Sequence, residues 1–248
     1  MFSIDHFVWI GISLFFTVIL LFLSRKFKLS FKTATYILLA IYIASEIIKI
    51  ILQFETIDGK LTFVFNAVYL PFQICSITLF FVGYLAFSKN KKGIEIVKSF
   101  VVEVMLIAAP MALVFSTCFH PEHVAYPFAS FKYIEIYRFY IYHTAMIAYG
   151  LYLVTTKQVK MGFKAWWQSY IIFVILLLNS FWINALFPEK DPNFMFTTKP
   201  PTSGIPLVNL NHGYFVFLVH YFVVIAIGTF LLQLPAIIKQ ARSKKVLK

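Results

Sequence analysis

Apolar runs of about 17 to 25 residues recur seven times along this chain, each followed by a polar connection, and they leave little choice of fold. A helix rises ~1.5 Å per residue, so a run of this length matches the ~30 Å of hydrocarbon in a bilayer. The runs occupy 7–23, 34–54, 66–87, 94–118, 133–154, 165–187 and 213–237. With 60% hydrophobic and only 13% charged residues, and a mean hydropathy of +0.82, the 248-residue chain lacks the polar surface of a soluble domain. The expected fold class is all-α: a polytopic membrane helical bundle of seven transmembrane helices, forming one domain over 1–248.

A net charge of +12 would suit nucleic acid, but the placement of the basic residues argues for topology instead. Fifteen Lys and Arg residues fall in the connections holding Arg25 to Lys32, Lys89 to Lys92 and Lys157 to Lys164, and in the tail from Lys239. The opposite side holds four: Lys60, Lys132, Lys190 and Lys199. The positive-inside rule then sets the N-terminus outside and the C-terminus in the cytoplasm, with the plasma membrane as the expected location. Asp5 before the first run and Arg25, Lys26 and Lys28 after it mark a reversed anchor rather than a cleavable signal. Trp166 and Trp167 at the inner end of the sixth run, and Tyr126, Tyr133 and Tyr137 at the outer end of the fifth, fit interfacial belts.

Two cysteines and six histidines show neither CxxC nor HExxH spacing, so no metal, disulfide framework or cofactor is expected. Membrane lipids are the expected partners and nucleic acid is not; oligomeric state leaves no sequence signal. The longest connection, 188–212, carries five of the ten prolines and is expected to fold as an extracytoplasmic lid. There is no internal repeat, GxxxG or Walker motif.

Polar groups inside hydrocarbon are costly and mark functional sites. The third run contains Leu70-Pro71-Phe72-Gln73-Ile74-Cys75-Ser76. Counting from Asn66 places Cys75 roughly 14 Å below the outer surface, and counting from Tyr133 places His143 at roughly 15 Å. A thiol and an imidazole thus share one layer. The same count puts Glu46 and Asn179 at roughly 12 Å, His220 at roughly 10 Å and Arg138 at roughly 7 Å, with Asn184 shallower still. Glu103 stands apart, toward the inner face near Lys98.

Each candidate has a plainer reading beside the functional one. Cys75 packs as an inert apolar filler or serves as a nucleophile, with His143 as its base or as a satisfied core residue bonded near Tyr140 or Thr144. Cys118, at the outer end of the fourth run, reads as a filler. Glu46 with Lys49, and Glu135 with Arg138, are three residues apart and can neutralise each other on one helix face; alternatively Arg138, with Glu46 and His220, receives an anionic head group. Asn179 and Asn184 bridge helices, or with Gln73 they stabilise an oxyanion or orient the site. His120, His123 and His212 in the outer connections carry little signal.

The order of these motifs resembles a known family. Leu70-Pro71-Phe72-Gln73-Ile74-Cys75-Ser76-Ile77, then Tyr142-His143, then Asn184 ahead of Asn193-Phe194-Met195-Phe196 and Lys199-Pro200-Pro201, is similar to the YwaF-like bacterial membrane proteins and to transmembrane protein 164. More distantly it resembles the androgen-induced intramembrane lipid hydrolases. The resemblance implies acyl transfer onto lysophospholipids with catalytic Cys75 and His143. Phe72 and Ile74 replace expected leucines, Phe194 an expected tyrosine, and Asn211-His212-Gly213-Tyr214 a tryptophan-rich start to the last run.

The leading expectation is an intramembrane Cys/His lipid acyltransferase or ester hydrolase working through an acyl-thioester. The rivals are a transporter or permease subunit using Glu46, Glu103, Arg138 and His143 as a polar pathway, and a lipid-binding protein without turnover.

Overall fold

The computed structural model describes residues 4–115, 134–188, 192–200, 210–211 and 213–246. Cys118, His120, His123, Tyr126, Lys132, Tyr133, Lys190 and His212 lie outside them, as do the side chains of Asp5, Lys244 and Lys245.

The long helices are α1 (Ile4–Lys26), α2 (Phe31–Ile51), α3 (Ile74–Phe87), α4 (Lys91–Glu103), α5 (Ala109–Val114), α6 (Ile134–Thr155), α7 (Phe163–Ala185) and α8 (Tyr214–Val246), with α4 and α5 joined by a π-turn, Val104–Ala108. The π-turn has a local cause: Pro110 cannot donate to the carbonyl four residues back, and a wider turn relieves the clash. Among the described residues, six segments are long and apolar enough to cross a membrane, counting α4 with α5 as one. Exposed rows such as Phe163, Trp167, Ile171, Ile175, Leu178 and Trp182 on α7 face outward, as lipid-facing helices require.

The remaining long helix, α6, is the fifth expected run, and it is less apolar because of its tyrosines. It is also the most enclosed helix, and the tyrosines bond to protein rather than meet lipid. Tyr140 stacks on Trp9 of α1 at 4.8 Å, Tyr149 bonds Thr35 of α2 at 2.7 Å, and the Tyr152 hydroxyl donates to Leu29 O at 2.8 Å. Gly150 lets the π-turn approach closely, since a Cβ there would lie 2.9 Å from Leu106 Cδ2.

Three elements differ from expectation. The third run does not enter as a continuous helix from Asn66: Ala67–Tyr69 is a single 3₁₀ turn, Leu70 before Pro71 is extended, and α3 starts only at Ile74. Cys75 therefore sits in a helix's first turn rather than two turns down it. The last helix continues past 237 to Val246, and its 33 residues rise roughly 50 Å, more than a bilayer's hydrocarbon.

Finally, the fold is not wholly helical. Phe54–Ile57 (β1) and Lys60–Phe63 (β2) form an antiparallel hairpin. Asp58 (φ 51°) and Gly59 (φ 74°) occupy its turn, the paired positive φ of a type I′ connection.

Candidate functional site

The site is assembled around the start of α3. Gln73 is its N-cap by position, but its side chain caps nothing; it reaches instead to the 192–200 segment. Gln73 Oε1 accepts from Met195 N at 3.0 Å and its Nε2 donates to Asn193 O at 3.4 Å. Asn184, near the end of α7, grips the same segment from the other side. Its Oδ1 accepts from Phe194 N at 2.8 Å, and its Nδ2 donates to Phe194 O at 3.1 Å and Thr197 Oγ1 at 2.9 Å. Ser180, one turn earlier, meets Thr197 Oγ1 at 2.9 Å, and Tyr221 on α8 donates to Met195 O at 2.9 Å.

These bonds hold a backbone that would not otherwise persist. Asn193, Met195 and Phe196 all have φ near +50°, which costs on the order of 1–3 kcal/mol per non-glycine residue. Phe194 and Met195 are fully buried, and Phe194 meets Phe72 edge to face at 5.4 Å. The expected lid is thus, over 192–200, a segment folded into the protein against the Cys75 turn. Gln73 and Asn184 serve as its orienting groups.

Cys75 is half-buried and free. Its carbonyl accepts from Tyr142 Oη of α6 at 2.6 Å and from Thr78 Oγ1 at 2.5 Å, and Thr78 in turn bonds Tyr42 of α2. His143 follows Tyr142 directly, so the start of α3 meets α6 one residue from His143. The imidazole is buried, 4.2 Å from the Phe139 ring, with Nδ1 2.8 Å from Phe139 O. A carbonyl can only accept, so Nδ1 carries the proton and the neutral ring keeps its lone pair at Nε2, the tautomer of a base. Among the described residues, no hydrogen bond joins Cys75 Sγ to His143, and Tyr142 is the link between them.

Charge sits on the other flank. Lys49 Nζ lies 2.7 Å from Glu46 Oε1, 3.1 Å from Tyr69 O and 3.3 Å from the hydroxyl of Ser76, the residue after Cys75. The Glu46–Lys49 pairing foreseen from spacing is present, and it reaches the residue that follows Cys75. Arg138 donates to Ser45 Oγ at 3.2 Å and stands 3.9 Å from Glu135, while among the described residues its buried Nε has no partner. A guanidinium with donors to spare beside a helix N-terminus is suited to an anion.

Two expected residues are placed elsewhere. Asn179 is exposed on α7 and donates back to Ile175 O at 2.7 Å, and His220 is half-buried on α8 beside Tyr221. Glu103 is also remote: Gln233 Nε2 donates to it at 2.8 Å while Gln233 Oε1 accepts from Gly162 N at 2.8 Å. Val82, Leu85, Met105, Met146 and Leu153 belong to the buried apolar core. Ser180 and Thr197 contribute to this network without standing out in the sequence, and Tyr142, part of the Tyr142-His143 motif, contributes through its hydroxyl. The spacing of Ser180 and Asn184, one turn apart on a single helix face, is the signal that was available.

Compared with known proteins, the chain matches the family model described as TMEM164 family over residues 1–232. No curated protein and no solved structure matches it. The chain belongs to the TMEM164 family and is a multi-pass membrane protein.

Proposed function

We propose that this member of the TMEM164 family is an intramembrane acyltransferase or ester hydrolase that moves lipid acyl chains through a thioester on Cys75. The observation that carries the reading is the meeting of α3 and α6. Cys75 occupies a helix first turn, and Tyr142 fastens that turn to the helix whose next residue is His143, with Nε2 left as the basic nitrogen.

In the proposed reaction His143 Nε2 takes the Cys75 proton as the sulfur attacks the ester carbonyl of a phospholipid. The ester C–O bond breaks, the departing alkoxide recovers the proton from His143, and an acyl-thioester remains. A lysophospholipid hydroxyl or a water then gives its proton to His143, attacks the thioester and restores the thiol. Arg138 is the proposed head-group ligand, since its Nε is unspent. Gln73 and Asn184 act in this scheme by fixing the 192–200 wall of the site. Seven spans, with α6 as the seventh, an outside N-terminus and plasma-membrane residence belong to the same proposal. They rest on the basic connections and on the length of α6.

The test is transfer of an isotope-labelled acyl chain from phospholipid to lysophospholipid in nanodiscs, followed by mass spectrometry. Wild type should transfer the label or release it as fatty acid, and Cys75→Ala and His143→Gln should do neither. Equal turnover in Cys75→Ala would overturn the reading.

A further inference from the structure

The β1–β2 hairpin is the element whose shape no part of the site explains. In its register Phe54 pairs with Phe63 and Thr56 with Leu61, so Phe54, Leu61 and Phe63 share one face, while Glu55, Thr62 and Lys60 share the other with Ile57. Among the described residues the apolar face is open: Leu61 is 72% exposed, and Phe54 and Phe63 are both exposed with their ring centroids 5.3 Å apart. A two-stranded hairpin standing alone in water is marginal at best, and one with an aromatic face turned to water is worse placed still.

Two further observations say what covers that face. Exposed Ile43, Ile47, Ile50 and Ile51 form a row along α2 at helical spacing, the lipid-facing side of that helix, and exposed Phe54 follows three residues after its end. The hairpin is also held rigidly to the helix end. Buried Gln53 accepts from Val64 N at 2.7 Å through its carbonyl and from Asn66 N at 2.9 Å through its side chain, closing the strands at their base.

From this we infer that the hairpin lies in the membrane interface on the Cys75 side, with Phe54, Leu61 and Phe63 among the outermost acyl chains and Glu55, Lys60 and Thr62 toward water. The partner of this surface is the bilayer itself. Asn66 caps the 3₁₀ turn leading to Pro71 and Cys75, so the hairpin braces the thiol turn against the lipid surface. The inference is independent of which reaction the site performs.

Photocrosslinking tests it in the intact chain. Benzoylphenylalanine is placed singly at Leu61, Phe63, Glu55 or Thr62, and each protein is put in nanodiscs of phosphatidylethanolamine and phosphatidylglycerol, illuminated and weighed. All four sites are exposed, and unfolding temperatures near that of wild type would certify the fold. The expected result is a phospholipid adduct several-fold more abundant at Leu61 and Phe63 than at Glu55 and Thr62. Equal yields at the four sites, or products at Leu61 and Phe63 that are crosslinks to a second copy or another segment of the chain, would overturn it.

Discussion

Replacing Asn184 with alanine should cost far more than replacing Asn179 on the same helix, and the structure sets the size of the difference. Asn184 is 5% exposed and makes three bonds to the 192–200 segment. Without it, Phe194 O still accepts from Thr197 Oγ1 at 3.1 Å and Thr197 Oγ1 still meets Ser180, but Phe194 N–H is left buried without an acceptor. One orphaned buried donor costs about 1–3 kcal/mol, and each of the other two bonds is worth about 0.6 kcal/mol in a membrane bundle, for a total of about 2–4 kcal/mol. Asn179 is exposed and bonded only to its own helix, so Asn179→Ala should change stability by less than ~0.5 kcal/mol. At about 2–4 °C per kcal/mol for a chain of this size, Asn184→Ala should unfold roughly 5–15 °C below wild type in nanodiscs, with Asn179→Ala unmoved. Equal unfolding temperatures for the two variants would refute the role given to the 192–200 segment.

Other outcomes follow from the same geometry. Lys49→Met should destabilise by about 3–5 kcal/mol, because it strands Glu46 in a buried position, and the double variant Glu46→Leu with Lys49→Met should recover most of that in denaturation experiments. Gly150→Ala should cost about 1–3 kcal/mol in thermal unfolding, since its Cβ would press on Leu106 and Met105 in the π-turn. If Arg138 holds the lipid head group, Arg138→Gln should raise KM about 10-fold or more with kcat little changed, as loss of a charged hydrogen bond of about 1.5–3 kcal/mol implies. Tyr142→Phe should lower stability by only about 0.5–1.5 kcal/mol, since Cys75 O keeps Thr78, yet slow acyl transfer disproportionately by loosening the thiol turn.

The multi-pass helical character was legible because hydropathy is a one-dimensional signal. The neighbourhood of Cys75 and the Tyr142–His143 pair was also singled out from sequence, although the count from Asn66 assumed a continuous helix that the 3₁₀ turn and Pro71 interrupt. What the count missed came from local chemistry that overrides it. Pro71 delays α3 and turns Cys75 into a first-turn residue, and Asp58-Gly59, a strong hairpin signal between alternating residues, went unread inside a connection between spans. The fate of the polar side chains was least accessible. Gln73 and Asn184 were weighed as oxyanion donors, but their amides face a backbone segment 10 to 122 residues away, a pairing that no periodicity encodes. Asn179 shares the helix of Asn184 and not its face.

The most direct test of the central claim is the intact mass of the purified protein in nanodiscs after brief exposure to phospholipid and acid quench. The account predicts an added fatty acyl group that maps to Cys75, is released by hydroxylamine, and is absent from both Cys75→Ala and His143→Ala. An unmodified Cys75 in a preparation that still transfers acyl chains, or an adduct formed equally well in His143→Ala, would contradict it.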